Sequence, residues 1–151
     1  MRTLILLTIL SATACAGLLS WSPTVSVQVT TPQRYSLSLG ISGVDWGSAF
    51  GSESGFLIRV EPGVSGGKLH AGTRNAFSLA LIPILSVDVT GALMYTWNDP
   101  WNGLQDDQTY AGMELRFGAL PVVVSAGYYK HIAGSDTEHN WIGYLGAGIG
   151  F

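Results

Sequence analysis

Apolar and polar residues alternate with a period of two along most of this chain, the pattern of strands with one apolar and one polar face. In residues 34–42, Tyr35, Leu37, Leu39 and Ile41 share one face, and Arg34, Ser36, Ser38, Gly40 and Ser42 the other. The same alternation predicts strands over 56–61, about 64–72, 75–82, 85–97, 110–118, 122–131 and 140–151. Strand 85–97 has the clearest pattern, with Leu85, Val87, Val89, Leu93, Tyr95 and Trp97 opposite Ser86, Asp88, Thr90, Ala92, Met94 and Thr96. In the last, Trp141, Gly143, Leu145, Ala147, Ile149 and Phe151 face one way. Tyr144, Gly146, Gly148 and Gly150 face the other, with Ile142 a large apolar exception.

Polar, glycine-rich stretches at 43–55, 98–108 and 133–139 read as long loops; Pro62-Gly63, Pro83 and 119–121 read as tight turns. Eight strands joined by alternately short and long connections predict an all-β, antiparallel, up-and-down barrel crossing a bilayer. A short turn near 72–74 breaks that alternation. Two barrels share the period, and charge placement separates them. A soluble lipocalin-like barrel, binding apolar ligands, is apolar inside and polar outside; a membrane barrel is the reverse. From Arg34 onward every charge lies on a polar phase, in a connection or at a rim, where Arg74 and Lys130 are expected. A charge in mid-strand on the lipid face would cost about 2–4 kcal/mol. With the C-terminus on the inner side, Phe56, Phe77, Tyr95, Trp97, Tyr128 and Trp141 fall near the outer end. Tyr35, Phe117 and Phe151 fall near the inner one, which makes two aromatic girdles.

Composition narrows the choice further. A chain of 151 residues makes one domain, and 11 % charged against 47 % hydrophobic residues is far from a soluble average, where roughly a quarter of residues are charged. A net charge of −3 gives no reason to expect nucleic acid. Arg2, the apolar run 4–10 and Ala12-Thr13-Ala14 form a secretory signal pattern. The expected division is signal peptide 1–16, extended leader 17–32 and barrel 33–151. The single cysteine, Cys15, excludes an internal disulfide. It follows the cleavage pattern, where a lipidated residue would stand, with Ala12 in the place of the usual leucine.

The last strand, with Trp141, Leu145, Ile149 and a terminal Phe151, resembles the C-terminal assembly signal of bacterial outer-membrane barrels. The architecture is similar to small barrels of the OmpA and OmpX kind. That resemblance implies the outer membrane of a Gram-negative-type bacterium. It also implies outer-membrane lipids and lipopolysaccharide, the barrel-assembly machinery and an extracellular partner as associates.

Inward positions hold Arg34, Arg59, Glu61, Lys68, Asp88, Glu114 and Arg116. Eight strands enclose a space that side chains fill, so these charges are expected to pair across the lumen as a plug. Asp88 and Glu114 are the natural partners of Arg59, Arg116 or Arg34. The function expected is structural, adhesive or interactive through acidic outer loops, without a cofactor and without catalysis. The alternatives are a narrow porin-like pore, or a rim enzyme acting on lipid. His131-Ile132-Ala133-Gly134 is placed like the His-x-Ser-Asn motif of the lipid A deacylases, but Ala133 stands where the nucleophile belongs. His70, His131 and His139 have no recognisable metal-ligand spacing and are expected as solvated residues of the outer half.

Overall fold

In the computed structural model the described residues, 20–44, 50–79, 82–135 and 139–150, form a single closed antiparallel barrel. Its strands are β1 (Ser20–Thr30), β2 (Arg34–Val44), β3 (Phe50–Gly63), β4 (Gly66–Leu79), β5 (Ile82–Thr96), β6 (Thr109–Ala119), β7 (Val122–Ala133) and β8 (Trp141–Gly150). Each pairs with its neighbours in chain order, and β1 closes on β8 through Ser26–Thr30 against Gly146–Gly150. The expected signal segment, Cys15, Asp45, Asp136, Glu138 and Phe151 lie outside the described residues.

The strand number matches the expectation, but two of its members do not. The stretch expected as a leader is β1, which pairs with β2 from Ser20 opposite Val44 to Thr30 opposite Arg34. The strands expected at 64–72 and 75–82 are one continuous strand, β4, so the turn at 72–74 does not exist. Gly72 explains the difference. It faces Thr90 of β5, and a Cβ there would run into the backbone of Val89 and Thr90. That glycine serves close approach within a strand, not a turn.

These changes move the ends of the barrel. One mouth, the loop mouth, carries the turns after β1 and β3, the long β5–β6 connection and the β7–β8 connection. The terminal mouth carries the β2–β3, β4–β5 and β6–β7 connections with the start of β1 and the end of β8. The connection expected as a long outer loop at 43–55 therefore sits at the terminal mouth, and much of it is strand β3; Glu53 falls within that strand. The Pro62-Gly63 turn sits at the loop mouth instead. Two aromatic levels persist with altered membership. Tyr35, Tyr95, Trp97, Tyr128 and Trp141 ring the loop mouth, while Trp21, Phe56, Phe77 and Phe117 ring the terminal mouth. Tyr128 stacks on Trp141 at 4.9 Å, and Trp21 meets Phe56 edge-on at 5.3 Å.

The wall is apolar outside and polar inside. Val27, Leu69 and Leu115 are 54, 50 and 54 % exposed, while Ser26, Lys68 and Glu114 beside them are buried. An ordinary globular core is apolar. This one is built mainly of hydroxyls, charges and tyrosines, with apolar side chains such as Leu57, Met94 and Ile142 among them.

Candidate functional site in the lumen

Inward positions of β3, β4, β5 and β6 bring the charges together. Arg59 is the hub and is fully buried. Its Nη1 donates to Asp88 Oδ2 at 3.1 Å and its Nη2 to Glu114 Oε1 at 3.0 Å. Lys68 Nζ lies 2.9 Å from Glu61 Oε1 and 3.0 Å from Glu114 Oε2, with the Tyr144 ring centroid 3.5 Å away. His70 closes a ring of five residues. Its Nδ1 is 3.4 Å from Arg59 Nη2 and its Nε2 is 3.6 Å from Glu61 Oε2. A guanidinium can only donate, so Nδ1 accepts there and a neutral imidazole carries its proton on Nε2. Tyr129 donates to Glu114 Oε2 at 2.9 Å, and Ser36 to Glu61 Oε1 at 3.0 Å.

Toward the terminal mouth two further guanidiniums, Arg74 and Arg116, stand opposite Asp88 on the neighbouring strands. Arg74 reaches Asp88 Oδ1 through Nε at 3.7 Å. Arg116 is buried and donates to hydroxyls, Ser38 Oγ at 3.0 Å and Ser26 Oγ at 2.7 Å. Among the described residues it has no carboxylate within ion-pairing distance. Toward the loop mouth the lumen turns apolar and aromatic: Ala92, Met94, Tyr110, Tyr129, Ile142 and Tyr144 pack with Leu104, which the β5–β6 connection inserts from above. That connection is folded by residues suited to the left-handed region, Asn98, Asp99, Asn102, Gly103 and Asp107. It is tied down by Trp101 N to Pro32 O at 2.9 Å, Asn98 Nδ2 to Val64 O at 3.3 Å and Ser65 Oγ to Asn98 O at 2.8 Å.

Six of the seven expected lumen charges, Arg59, Glu61, Lys68, Asp88, Glu114 and Arg116, are buried inside the barrel. Arg34 is not among them. It sits at the loop mouth with a φ of 68° and pairs with Asp99 of the β5–β6 connection. Arg74, expected at a rim, is in the lumen, because the turn that would have put it at a rim is absent. His70, expected as solvated, is fully buried. His131 is half-buried, with Nε2 at 3.0 Å from Gln108 Oε1 and its ring against Tyr110. Gln108 in turn donates to Asp106 O and, at 3.5 Å, to Ser135 Oγ. His139 is half-buried in the β7–β8 connection. Trp141, Leu145 and Ile149 all face outward from β8.

Glu61, His70 and Glu114 offer ligand atoms within 4.8 Å of one another, a donor set able to take a divalent ion. The Lys68 ammonium already bridges the two carboxylates, so a metal there would have to displace it. Reasoning from sequence missed the inward tyrosines as part of the network, although the alternation puts Tyr110, Tyr129 and Tyr144 on the inner face. It also missed Ser26 and Gln28, which belong to the strand expected as a leader.

The fold and its interior define a closed β-barrel with a charge-filled lumen. No protein-family model matches the chain, and no match was found among the curated proteins or the solved structures compared with it.

Proposed function

We propose that the chain is a small outer-membrane protein, a barrel embedded in lipid. It acts structurally, or by adhesion or interaction, through the acidic β5–β6 connection at its loop mouth. One observation carries this reading: the outward strand positions are mostly apolar, while the buried charges and most of the buried hydroxyls line the inside. A soluble barrel of lipocalin type needs the opposite arrangement. Closure of β1 on β8 leaves no sheet edge to expose unpaired backbone groups to hydrocarbon. The aromatic levels at the two mouths suit the two interfaces of a bilayer. Outer-membrane lipids, lipopolysaccharide and the barrel-assembly machinery are the associates such a protein would have. The outward row Trp141, Leu145 and Ile149 would be read by that machinery.

Among the alternatives, a pore would need a water path past Arg59 and Glu114, which are hydrogen-bonded and buried. A rim enzyme would need His131 beside a serine and an acid; its described partner is Gln108. The test is electrophoresis of the chain refolded in detergent, with and without heating. Faster migration of the unheated band is expected. A soluble monomer that folds without detergent would overturn the reading.

A further inference from the structure

The buried cations of the lumen are not served alike. Arg59, Lys68 and Arg74 each have a carboxylate within ion-pairing distance. Arg116, equally buried, has none among the described residues. Asp88 lies opposite it across the β5–β6 pair, but turns Oδ2 to Arg59 at 3.1 Å and Oδ1 to Arg74 at 3.7 Å. A guanidinium carries five N–H groups, and the described bonds of Arg116 go to two neutral hydroxyls, Ser38 and Ser26. A buried charge met only by neutral dipoles is costly, and an anion beside it would offset that cost.

Beside Arg116, at the terminal mouth, lies a cavity of about 10 Å³ bordered by Arg74, Ser86, Gly118, Val123 and Gly150. Ser86 and Gly118 face each other across β5 and β6, and a Cβ on Gly118 would lie 2.5 Å from Ser86 Oγ. The glycine therefore leaves that hydroxyl room to turn. No described hydrogen bond engages it. The lining thus offers two guanidiniums and a free hydroxyl donor, and no carboxylate. The volume is about one water-sized sphere. A monatomic anion, little larger than water, enters with a small shift of the Ser86 hydroxyl, whereas a tetrahedral oxyanion is too large.

We infer that this cavity is a binding site for a halide ion, chloride, entering from the terminal mouth. Arg116 supplies its counter-charge, Ser86 donates to it, and Arg74 adds positive potential at its border. The inference concerns the lumen alone and stands whether or not the outer wall faces lipid.

The full chain is refolded in zwitterionic detergent, and chloride binding is read from the chlorine NMR line width in excess of that in protein-free micelles. Saturable broadening is expected. Sodium bromide should displace it, and sodium sulfate or phosphate at the same ionic strength should not. Arg116→Met should weaken binding by about tenfold or more, the worth of a hydrogen bond to a charged group. Gly118→Ala, which fills the cavity and keeps both guanidiniums, should weaken it likewise. Arg34→Met, which removes a cation at the other mouth, should leave it unchanged. Heat-modifiable mobility reports whether each variant is folded. Crystals grown in sodium bromide should show an anomalous peak between Ser86 and Arg116. A folded barrel that broadens chloride no more than empty micelles would overturn the site, as would equal broadening by Arg116→Met and Gly118→Ala. Displacement by sulfate as readily as by bromide would overturn the halide assignment and indicate exposed cations instead. Should either variant fail to fold, the bromide map decides: a peak elsewhere, or none, overturns the site.

Discussion

Arg59 and Arg116 are both buried guanidiniums, yet their surroundings differ in kind. Arg59 answers two carboxylates, Asp88 and Glu114, and touches His70. Arg116 answers two serine hydroxyls. Removing Arg59 strands buried negative charge, whereas removing Arg116 strands neutral groups that can turn toward one another. We expect Arg59→Met to cost about 3–5 kcal/mol and Arg116→Met about 1–3 kcal/mol or less. The comparison is made by urea unfolding in lipid vesicles. Equal costs would mean that the lumen does not act as a paired network. At this scale the alternation was a good guide wherever a residue lies inside a regular strand, as for Arg59, Glu61, Lys68, Asp88, Glu114 and Arg116. It misled at Arg34, whose left-handed backbone at the first residue of β2 takes the side chain out of the phase that the rest of the strand keeps.

Among the elements, β1 and β4 carry what was hardest to read. In β1 the alternation is present, with Thr24, Ser26, Gln28 and Thr30 buried and Val27 and Val29 exposed. Pro23 and the run of serines and threonines disguise it as a leader. Pro23 is tolerated because it lies before Ser26, where pairing with β8 begins, so one edge of the strand asks for no donor. In β4 the Gly72-Thr73-Arg74 step looks like a turn only while the nearness of Thr90 is unknown, and no single-strand pattern reports that distance. Gly72→Val should therefore cost about 1–3 kcal/mol by overpacking, read from the unfolding midpoint; a neutral result would favour the turn. Val89 belongs to the exposed row of β5. Val89→Arg should cost about 2–4 kcal/mol if that row faces hydrocarbon. A cost near zero would indicate water outside, and would count against lipid around the wall.

For the molecule as a whole, the two mouths differ in how they are closed. At the terminal mouth the one described connection, β6–β7, is a tight turn, while Leu104 and the mutual bonding of three connections cap the loop mouth. Below that cap lies the five-residue ring of Arg59, Glu61, Lys68, His70 and Glu114, buried and bonded further to Ser36 of β2 and Tyr129 of β7. Planar-bilayer recordings should accordingly show no stepwise conductance, and discrete openings would contradict a plugged lumen. The barrel class was legible because an inside-out alternation is a property of every strand at once and survives an error in any one of them. The strand count came out right for a compensating reason: one strand was missed in β1 and one was split in β4. Assignment of loops to mouths has no such redundancy, and one wrong strand reversed it for the first half of the chain.

The inner face of β8 has a temporal consequence. Gly146, Gly148 and Gly150 leave that face bare, and the space is taken by neighbours: Ser125 and Tyr144 crowd Gly146, and Gln28 crowds Gly148. Ser125 of β7 donates to Gln28 Oε1 of β1 at 3.1 Å, so strands two places apart touch over the top of β8. Glycine loses more freedom than any other residue when fixed, and this strand has little of its own to fix it. It would behave as a latch, limp until both β7 and β1 are in place and then shut in one step. Pulse-labelled hydrogen exchange during folding into vesicles should find the Gly146 and Gly148 amides protected last, after those of β4 and β5. Early protection there would mean that the latch sets before the frame.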